Sequence, residues 1–256
     1  MSRIGSALAG RKALIGYVTV GYPSVQATLE VVPLLAGWGC DVIELGIPFS
    51  DPLADGTTIQ EAAHRALTNG VTPRQCLEVA AELRREVDIP LVFMTYYNPV
   101  LSAGPEIFCR LSAESGVDGL IIPDLPPEEG GELETCAVRE GMDLIYLLAP
   151  TSSEQRVDLV SQRSRGFVYL VSLAGVTGAR QDLPPDLEAF VGRVRKRTAM
   201  PLCVGFGIST PEQARRAAGA ADGVIVGSRL LQLMDGQPYR HLNDFVTGLR
   251  KALDAS

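Results

Sequence analysis

Histidine is nearly absent: His64 and His241 are the only two, they lie far apart, and neither belongs to an H-x-x-x-H pattern, so a histidine-ligated metal site cannot be assembled. Lysine is almost as scarce. Lys12, Lys196 and Lys251 are the whole supply, and none falls at the C-terminal end of a predicted strand, which disfavours a Schiff-base mechanism. The cysteines (Cys40, Cys76, Cys109, Cys136, Cys203) are odd in number, widely spaced and free of C-x-x-C. A disulfide frame and a zinc site therefore drop out, and these residues read as core or helix-face filler. No basic block offsets the net charge of -7, which argues against a nucleic-acid surface. The opening MSRIGSALAGRKALIG has no apolar run long enough for a signal or membrane segment, so a cytoplasmic protein is expected.

What the chain does have is a recurring pattern of short apolar runs. These are IGYVTV (15–20), DVIELG (41–46), PLVFMTY (90–96), DGLIIPDL (118–125), DLIYLLAP (143–150), FVYLVS (167–172), PLCVGFG (201–207) and DGVIVGS (222–228). They are continuous rather than alternating in polarity, as parallel strands covered on both faces require. Between them lie helical spacings with readable starts: Thr72-Pro73, a capping box at Thr151 to Glu154, and another at Ser209 to Glu212 with an early proline.

Eight β-then-α units in about 250 residues match a (β/α)8 TIM barrel, here a single domain over 1–256 with no Ser/Gly/Pro-rich linker. A doubly wound sheet is the runner-up, although no G-x-G-x-x-G follows the first strand. The second unit is longer than the rest and carries an insertion, with an extra helix predicted around Thr58 to Leu67 before the helix from Pro73 to Arg85. Extra length after a barrel strand lies at the C-terminal mouth, where barrels place their chemistry. Pro33 falls inside the first long helix and should kink or divide it.

Two constellations stand out. Glu44 lies inside a strand, and Asp51 and Asp55 follow in the loop DPLADG, with no Lys or Arg anywhere between Lys12 and Arg65. If Glu44 points into the barrel, desolvation raises its pKa and suits it to proton transfer near neutral pH; otherwise it belongs to a structural ion pair. Asp55 is either a substrate contact or an Asx turn, and Asp51 the latter more readily. GVTG (175–178), GFGIST (205–210) and GVIVGSR (223–229) follow the last three strands and put small residues where backbone N–H groups can face an anion, Gly207, Gly227 and Ser228 among them. Ordinary glycine-containing βα turns are the competing explanation. With lysine and histidine chemistry disfavoured, carboxylate acid–base chemistry on a phosphorylated substrate remains.

The run ELGIPFSDPLADG (44–56), with GVTG, GFGIS and the GS that closes the eighth run, resembles the tryptophan synthase α chain family over nearly the whole length. The resemblance implies retro-aldol cleavage of indole-3-glycerol phosphate to indole and glyceraldehyde 3-phosphate, a lyase reaction with no cofactor of its own and no metal. It implies Glu44 as general acid/base, Asp55 as the anion beside the indole N–H, and Tyr169 as a tyrosine near the substrate. Gly178, Gly207, Gly227 and Ser228 match the phosphate cradle and Thr177 the closing loop. Tyr17, Met94, Ile121 and Phe206 match indole-pocket positions, where core packing is the alternative, as it is for Tyr169.

The resemblance also implies docking onto a pyridoxal-phosphate β chain in an αββα heterotetramer, with indole passed through a tunnel. Asp51 and the loop containing Tyr97, Asn98 and Pro99 would form the docking surface, with Pro123 to Pro127 nearby. Two departures from the family bear on loop closure: Thr57 stands where proline usually follows A-D-G, and Leu173-Ala174 precede GVTG where polar residues are common. A free-standing lyase that releases indole and a catalytically weak activator of the β chain are the alternative readings, the latter opposed by retention of both Glu44 and Asp55.

Overall fold

The computed structural model describes residues 2–171, 186–205, 207–236 and 238–256. Every predicted apolar run supplies a strand: β1 (Ala13–Thr19), β2 (Val42–Gly46), β3 (Leu91–Met94), β4 (Gly119–Ile121), β5 (Asp143–Ile145), β6 (Leu147–Leu148), β7 (Val168–Val171), β8 (Leu202–Gly205) and β9 (Gly223–Val226). All pairings are parallel, in the order β5, β4, β3, β2, β1, β9, β8, β7, β6. Only Tyr146 separates β5 from β6, so the two ends of this order meet and the sheet wraps into a (β/α)8 barrel. One predicted run thus yields two short strands. The break has a local cause, since the Tyr146 N–H donates to Ser164 Oγ at 3.1 Å instead of continuing the ladder, while its carbonyl accepts from Tyr169 N at 3.0 Å.

The helices are α1 (Arg3–Ala7), α2 (Val25–Gly37), α3 (Thr57–Thr68), α4 (Pro73–Glu86), α5 (Tyr97–Ala103), α6 (Pro105–Glu114), α7 (Gly131–Arg139), α8 (Glu154–Arg163), α9 (Leu187–Arg195), α10 (Pro211–Ala220), α11 (Ser228–Met234) and α12 (Arg240–Asp254). Among the described residues none is long and apolar enough to cross a membrane. Two helices, α3 and α4, occupy the long second unit. Thr72 caps α4 through a complete capping box with Gln75.

Other starts shift by a residue or two. Ser153 rather than Thr151 caps α8, and Thr210 rather than Ser209 caps α10, because in each case the later hydroxyl is the one that reaches the free N–H of the first turn. Tyr97-Asn98-Pro99, expected as loop, forms the first turn of α5, where proline forfeits no intrahelical bond. Pro33 does not divide α2. The helix runs unbroken because Ala27, Thr28, Val31, Val32 and Leu35 are buried along it and offset the bond that proline removes.

Continuous apolar runs follow from burial on both faces. Along β2, Ile43 and Leu45 join the large cluster under the helices, while Val42 joins Ala13, Ile15, Val92, Ile121, Phe167 and Ile225 inside the barrel. Ile4 and Leu8, from α1 and its C-cap, enter the interior cluster as well. The cysteines are all buried and free.

The N-terminal end of the barrel is tied by a repeated device. Aspartates that open the runs accept a hydrogen bond from the adjacent strand: Asp41 from Leu14 N at 2.8 Å, Asp118 from Leu91 N at 2.9 Å and Asp222 from Leu202 N at 2.8 Å. Each also meets arginine, Asp41 pairing with Arg11 and, at 3.0 Å, with Arg250, Asp118 with Arg3 and Arg84, and Asp222 with Arg195. The Asp41–Arg250 pair is almost wholly buried. Removing one partner of such a pair strands the other in a place that solvates it poorly. Asp41→Ala is therefore expected to lower unfolding free energy by about 3 kcal/mol in urea titration, whereas Asp51→Ala, at an exposed site, should change it by less than about 0.5 kcal/mol.

Candidate active site

The alternation of β2 decides where Glu44 goes. Val42 faces the barrel interior, and a period of two sends Glu44 the same way. Glu44 is fully buried in register with Tyr17 on β1 and Val92 on β3, and neither carboxyl oxygen has a hydrogen-bond partner. Burial pushes its pKa up to about 8. At neutral pH it is a carboxylic acid holding a proton with nothing to give it to.

A cavity of about 490 Å³ opens at the C-terminal end of the strands, with Tyr17, Asp55, Met94, Tyr169, Gly207, Gly227 and Ser228 in its walls; Glu44 itself is not among its lining residues. Two inward tyrosines link the cavity to Glu44. Tyr17 and Tyr169 both feel the charges of Glu44 and Asp55, and burial, the larger effect, drives both phenols well above their ordinary pKa. Tyr17 Oη lies 3.2 Å from Thr19 Oγ1. Room for these rings comes from glycine: a Cβ on Gly46 would sit 2.2 Å from the Tyr17 hydroxyl, and one on Gly205 would sit 2.6 Å from that of Tyr169.

Asp55 hangs on the wall through Tyr96, whose hydroxyl accepts from Ala54 N at 2.9 Å and hydrogen-bonds the Asp55 carboxyl. Partial burial raises the Asp55 pKa to about 6, and the Tyr96 bond opposes that rise. Phe49 stacks on Tyr96 with ring centroids 5.1 Å apart, so the loop is anchored to β3's exit by an aromatic pair. Tyr96 escaped the reading of the sequence because it ended an apolar run and looked like core. Its place just past a strand's C-terminal end was the available signal.

The other end of the cavity is built from Gly207, Ser209, Gly227 and Ser228. Gly207 has φ +71°, a left-handed conformation that favours glycine. Gly227 caps α11 at Ser228, which leaves the first N–H groups of that helix without intrahelical acceptors. Ile121 is fully buried in the interior cluster and is not among the cavity's lining residues. Thr177, Gly178 and Phe206, together with Leu173 and Ala174, lie outside the described residues.

Asp51 and Asn98 are exposed and Pro99 is partly exposed, all outside the cavity, whereas Pro123, Pro126 and Pro127 line it. Thr57 is the first residue of α3, a position where proline also fits. Among the described residues no group of three or more His, Cys, Asp or Glu is placed to hold a metal ion.

A buried acid with a raised pKa costs stability in a defined pH window. Its folded pKa of about 8 exceeds the unfolded value near 4.3, so stability falls as pH rises between the two. Glu44→Gln removes the titrating group at constant shape. The variant is expected to lie within about 1 kcal/mol of the parent near pH 4.5 and to exceed it by roughly 4 to 5 kcal/mol at pH 8, measured by chemical unfolding at both pH values.

Comparison with known proteins agrees with this architecture. The family described as tryptophan synthase alpha chain matches residues 6–251. The tryptophan synthase alpha chain of Dehalococcoides mccartyi is 56% identical over 255 residues, covering 99% of this chain and 100% of that protein. That of Geobacter sulfurreducens is 45% identical over 262 residues, covering 99% of each. Among solved structures, Mycobacterium tuberculosis tryptophan synthase in space group F222 superposes with a TM-score of 0.93 at 39% identity, over 99% of this chain and 98% of that one. Tryptophan synthase subunit alpha from Legionella pneumophila str. Paris gives a TM-score of 0.91 at 35% identity, over 100% of each. On identity, coverage and fold together, this chain belongs to the tryptophan synthase alpha chain family.

Proposed function

We propose that this chain is a carbon–carbon lyase that cleaves indole-3-glycerol phosphate to indole and glyceraldehyde 3-phosphate, and that it passes the indole to a β chain for tryptophan synthesis. The observation that carries the reading is Glu44, a protonated carboxyl buried without a partner next to Tyr17 and Tyr169, two walls of a cavity that also holds a second carboxylate, Asp55.

The chemistry follows from the two pKa values. Glu44 starts as the acid and gives its proton to indole C3, which breaks the ring's aromaticity and leaves a cation shared with the ring nitrogen. Asp55, ionised at neutral pH, accepts the N–H hydrogen bond and stabilises that cation, whose charge exists only in transit. Glu44, now a carboxylate, takes the proton of the glycerol hydroxyl next to the scissile bond. As that O–H becomes an aldehyde C=O, the carbon–carbon bond electrons return to the ring, indole regains aromaticity, and Glu44 is protonated again. Every proton transfer uses a side chain of this protein, so the reaction as written needs no cofactor.

Tyr169 and Tyr17, held un-ionised, help to keep water from the Glu44 carboxyl group, and Met94 adds apolar surface for the indole ring. The phosphate would rest on Gly207, Gly227 and Ser228, and the family resemblance gives Gly178 a part in the same cradle and Thr177 the closing loop.

A β chain carrying pyridoxal phosphate would dock near Asp51, Asn98 and Pro99, in an αββα assembly. Support comes from two large apolar side chains left in water on the same segments, Leu53 at 92% and Leu101 at 53% exposure. Covering such residues is a usual role of an interface.

Three outcomes are expected. Indole release from indole-3-glycerol phosphate should be slow for the isolated chain and rise sharply on addition of a tryptophan synthase β chain. Release that ignores the β chain would make this a free-standing lyase, and no release in either case would sink the reading. The kcat/KM profile should be bell-shaped, rising through about pH 6 as Asp55 ionises and falling through about pH 8 as Glu44 loses its proton. Glu44→Gln should lose at least about a hundredfold in kcat while folding normally.

A further inference from the structure

Two cationic side chains line the cavity among the described residues, Arg156 and Arg229, and they differ in how their charge is met. Arg156 Nη1 lies 2.5 Å from Glu128 Oε2, so a carboxylate already balances it. Arg229 follows Ser228 directly and donates from Nη1 to Gln232 Oε1 at 3.2 Å. Gln232 also lines the cavity, and its amide holds the guanidinium without neutralising it. No carboxylate pairs with Arg229 among the described residues.

The rest of the site makes that unspent charge consequential. A phosphate monoester carries roughly -1.5 to -2 charges near neutral pH. It would enter a cavity whose wall carries the Asp55 carboxylate, in a chain of net charge -7. Glycine N–H groups and the Ser228 hydroxyl offer dipoles but no compensating charge. Gly207, Ser209, Gly227 and Ser228 gather at the same end of the cavity as Arg229, on the exits of β8 and β9.

We infer that Arg229 is the counter-ion to the substrate's phosphate dianion, and thereby selects phosphorylated over unphosphorylated substrates. The inference rests on the proposed cleavage reaction for its substrate but concerns binding rather than bond breaking.

Arg229→Gln should raise KM for indole-3-glycerol phosphate about tenfold, with a much smaller change in kcat. In the reverse reaction KM for glyceraldehyde 3-phosphate should rise similarly and that for indole should not, because indole carries no phosphate. Added salt should weaken substrate binding in the parent more than in the variant. Arg229→Lys, which keeps the charge without the planar fork, should recover part of the loss. Unchanged KM values in Arg229→Gln, or no recovery in Arg229→Lys, would overturn the assignment while leaving the cleavage reaction intact.

Calorimetric binding of glycerol 3-phosphate separates the two ideas. If the parent fails to cleave indole-3-glycerol phosphate yet binds glycerol 3-phosphate about tenfold more tightly than Arg229→Gln, the proposed reaction falls and the arginine assignment stands. Equal binding by both proteins, or none by the parent, overturns the assignment.

Discussion

A strand covered on both faces has no wet side to which a charged residue can retreat, and β2 carries Glu44 in its centre. The parallel ladders to β1 and β3 fix the register, the register fixes which side chains point inward, and the inward direction ends in an apolar core. Glu44 can stay there only by keeping its proton. The raised pKa is therefore a direct consequence of sheet geometry rather than of a specific neighbour, and burial is its sole resolved cause. Asp55 differs because it reaches its place from a loop. It retains some solvent and a hydrogen bond from Tyr96, so it ionises about two units lower. Two carboxyl groups near one cavity thus take opposite protonation states at neutral pH, the arrangement that acid-and-anion chemistry requires.

The space for that chemistry depends on glycines that serve by what they omit. Gly46 and Gly205 hold no unusual backbone angle; each leaves a gap filled by the ring of a tyrosine on the neighbouring strand. Gly130 does the same for Tyr146, whose hydroxyl bonds Glu134 Oε1 at 2.6 Å while Arg163 pairs with that carboxylate. A methyl group at any of the three would overlap an aromatic hydroxyl. At Gly46 and Gly205 the large ring and the missing side chain sit on adjacent strands, and at Gly130 the gap is at the N-cap of α7.

Much of this was legible in the sequence because burial on both faces leaves a plain mark: every apolar run became a strand, and the paired helices of the second unit followed from its length. Glu44 was visible as a polar residue in an apolar run, but its direction was not. Parity needs a known neighbour, which Val42 supplied once the interior cluster could be seen. The split at Tyr146 was hidden because it depends on a hydroxyl eighteen residues away, Ser164 Oγ. Tyr97-Asn98-Pro99 misled because proline in a first turn and proline in a loop leave the same local trace. Arg229 escaped notice for a similar reason. Whether an arginine is balanced by a carboxylate is a fact of tertiary structure, and Arg156 and Arg229 cannot be told apart along the chain.

The bonds at the far end of the barrel also impose an order on how the protein can be made. Strand β1 pairs with β9, and Asp41 waits for Arg250, a partner 209 residues further along. While the chain emerges from a ribosome, β1 presents an open edge, and a carboxylate destined for burial stays in water until the last long helix arrives. The growing chain can hold a half-wrapped sheet but not a finished one. Its period of greatest exposure to mispairing is therefore set by the speed of translation across that interval rather than by the strength of any contact in the completed barrel.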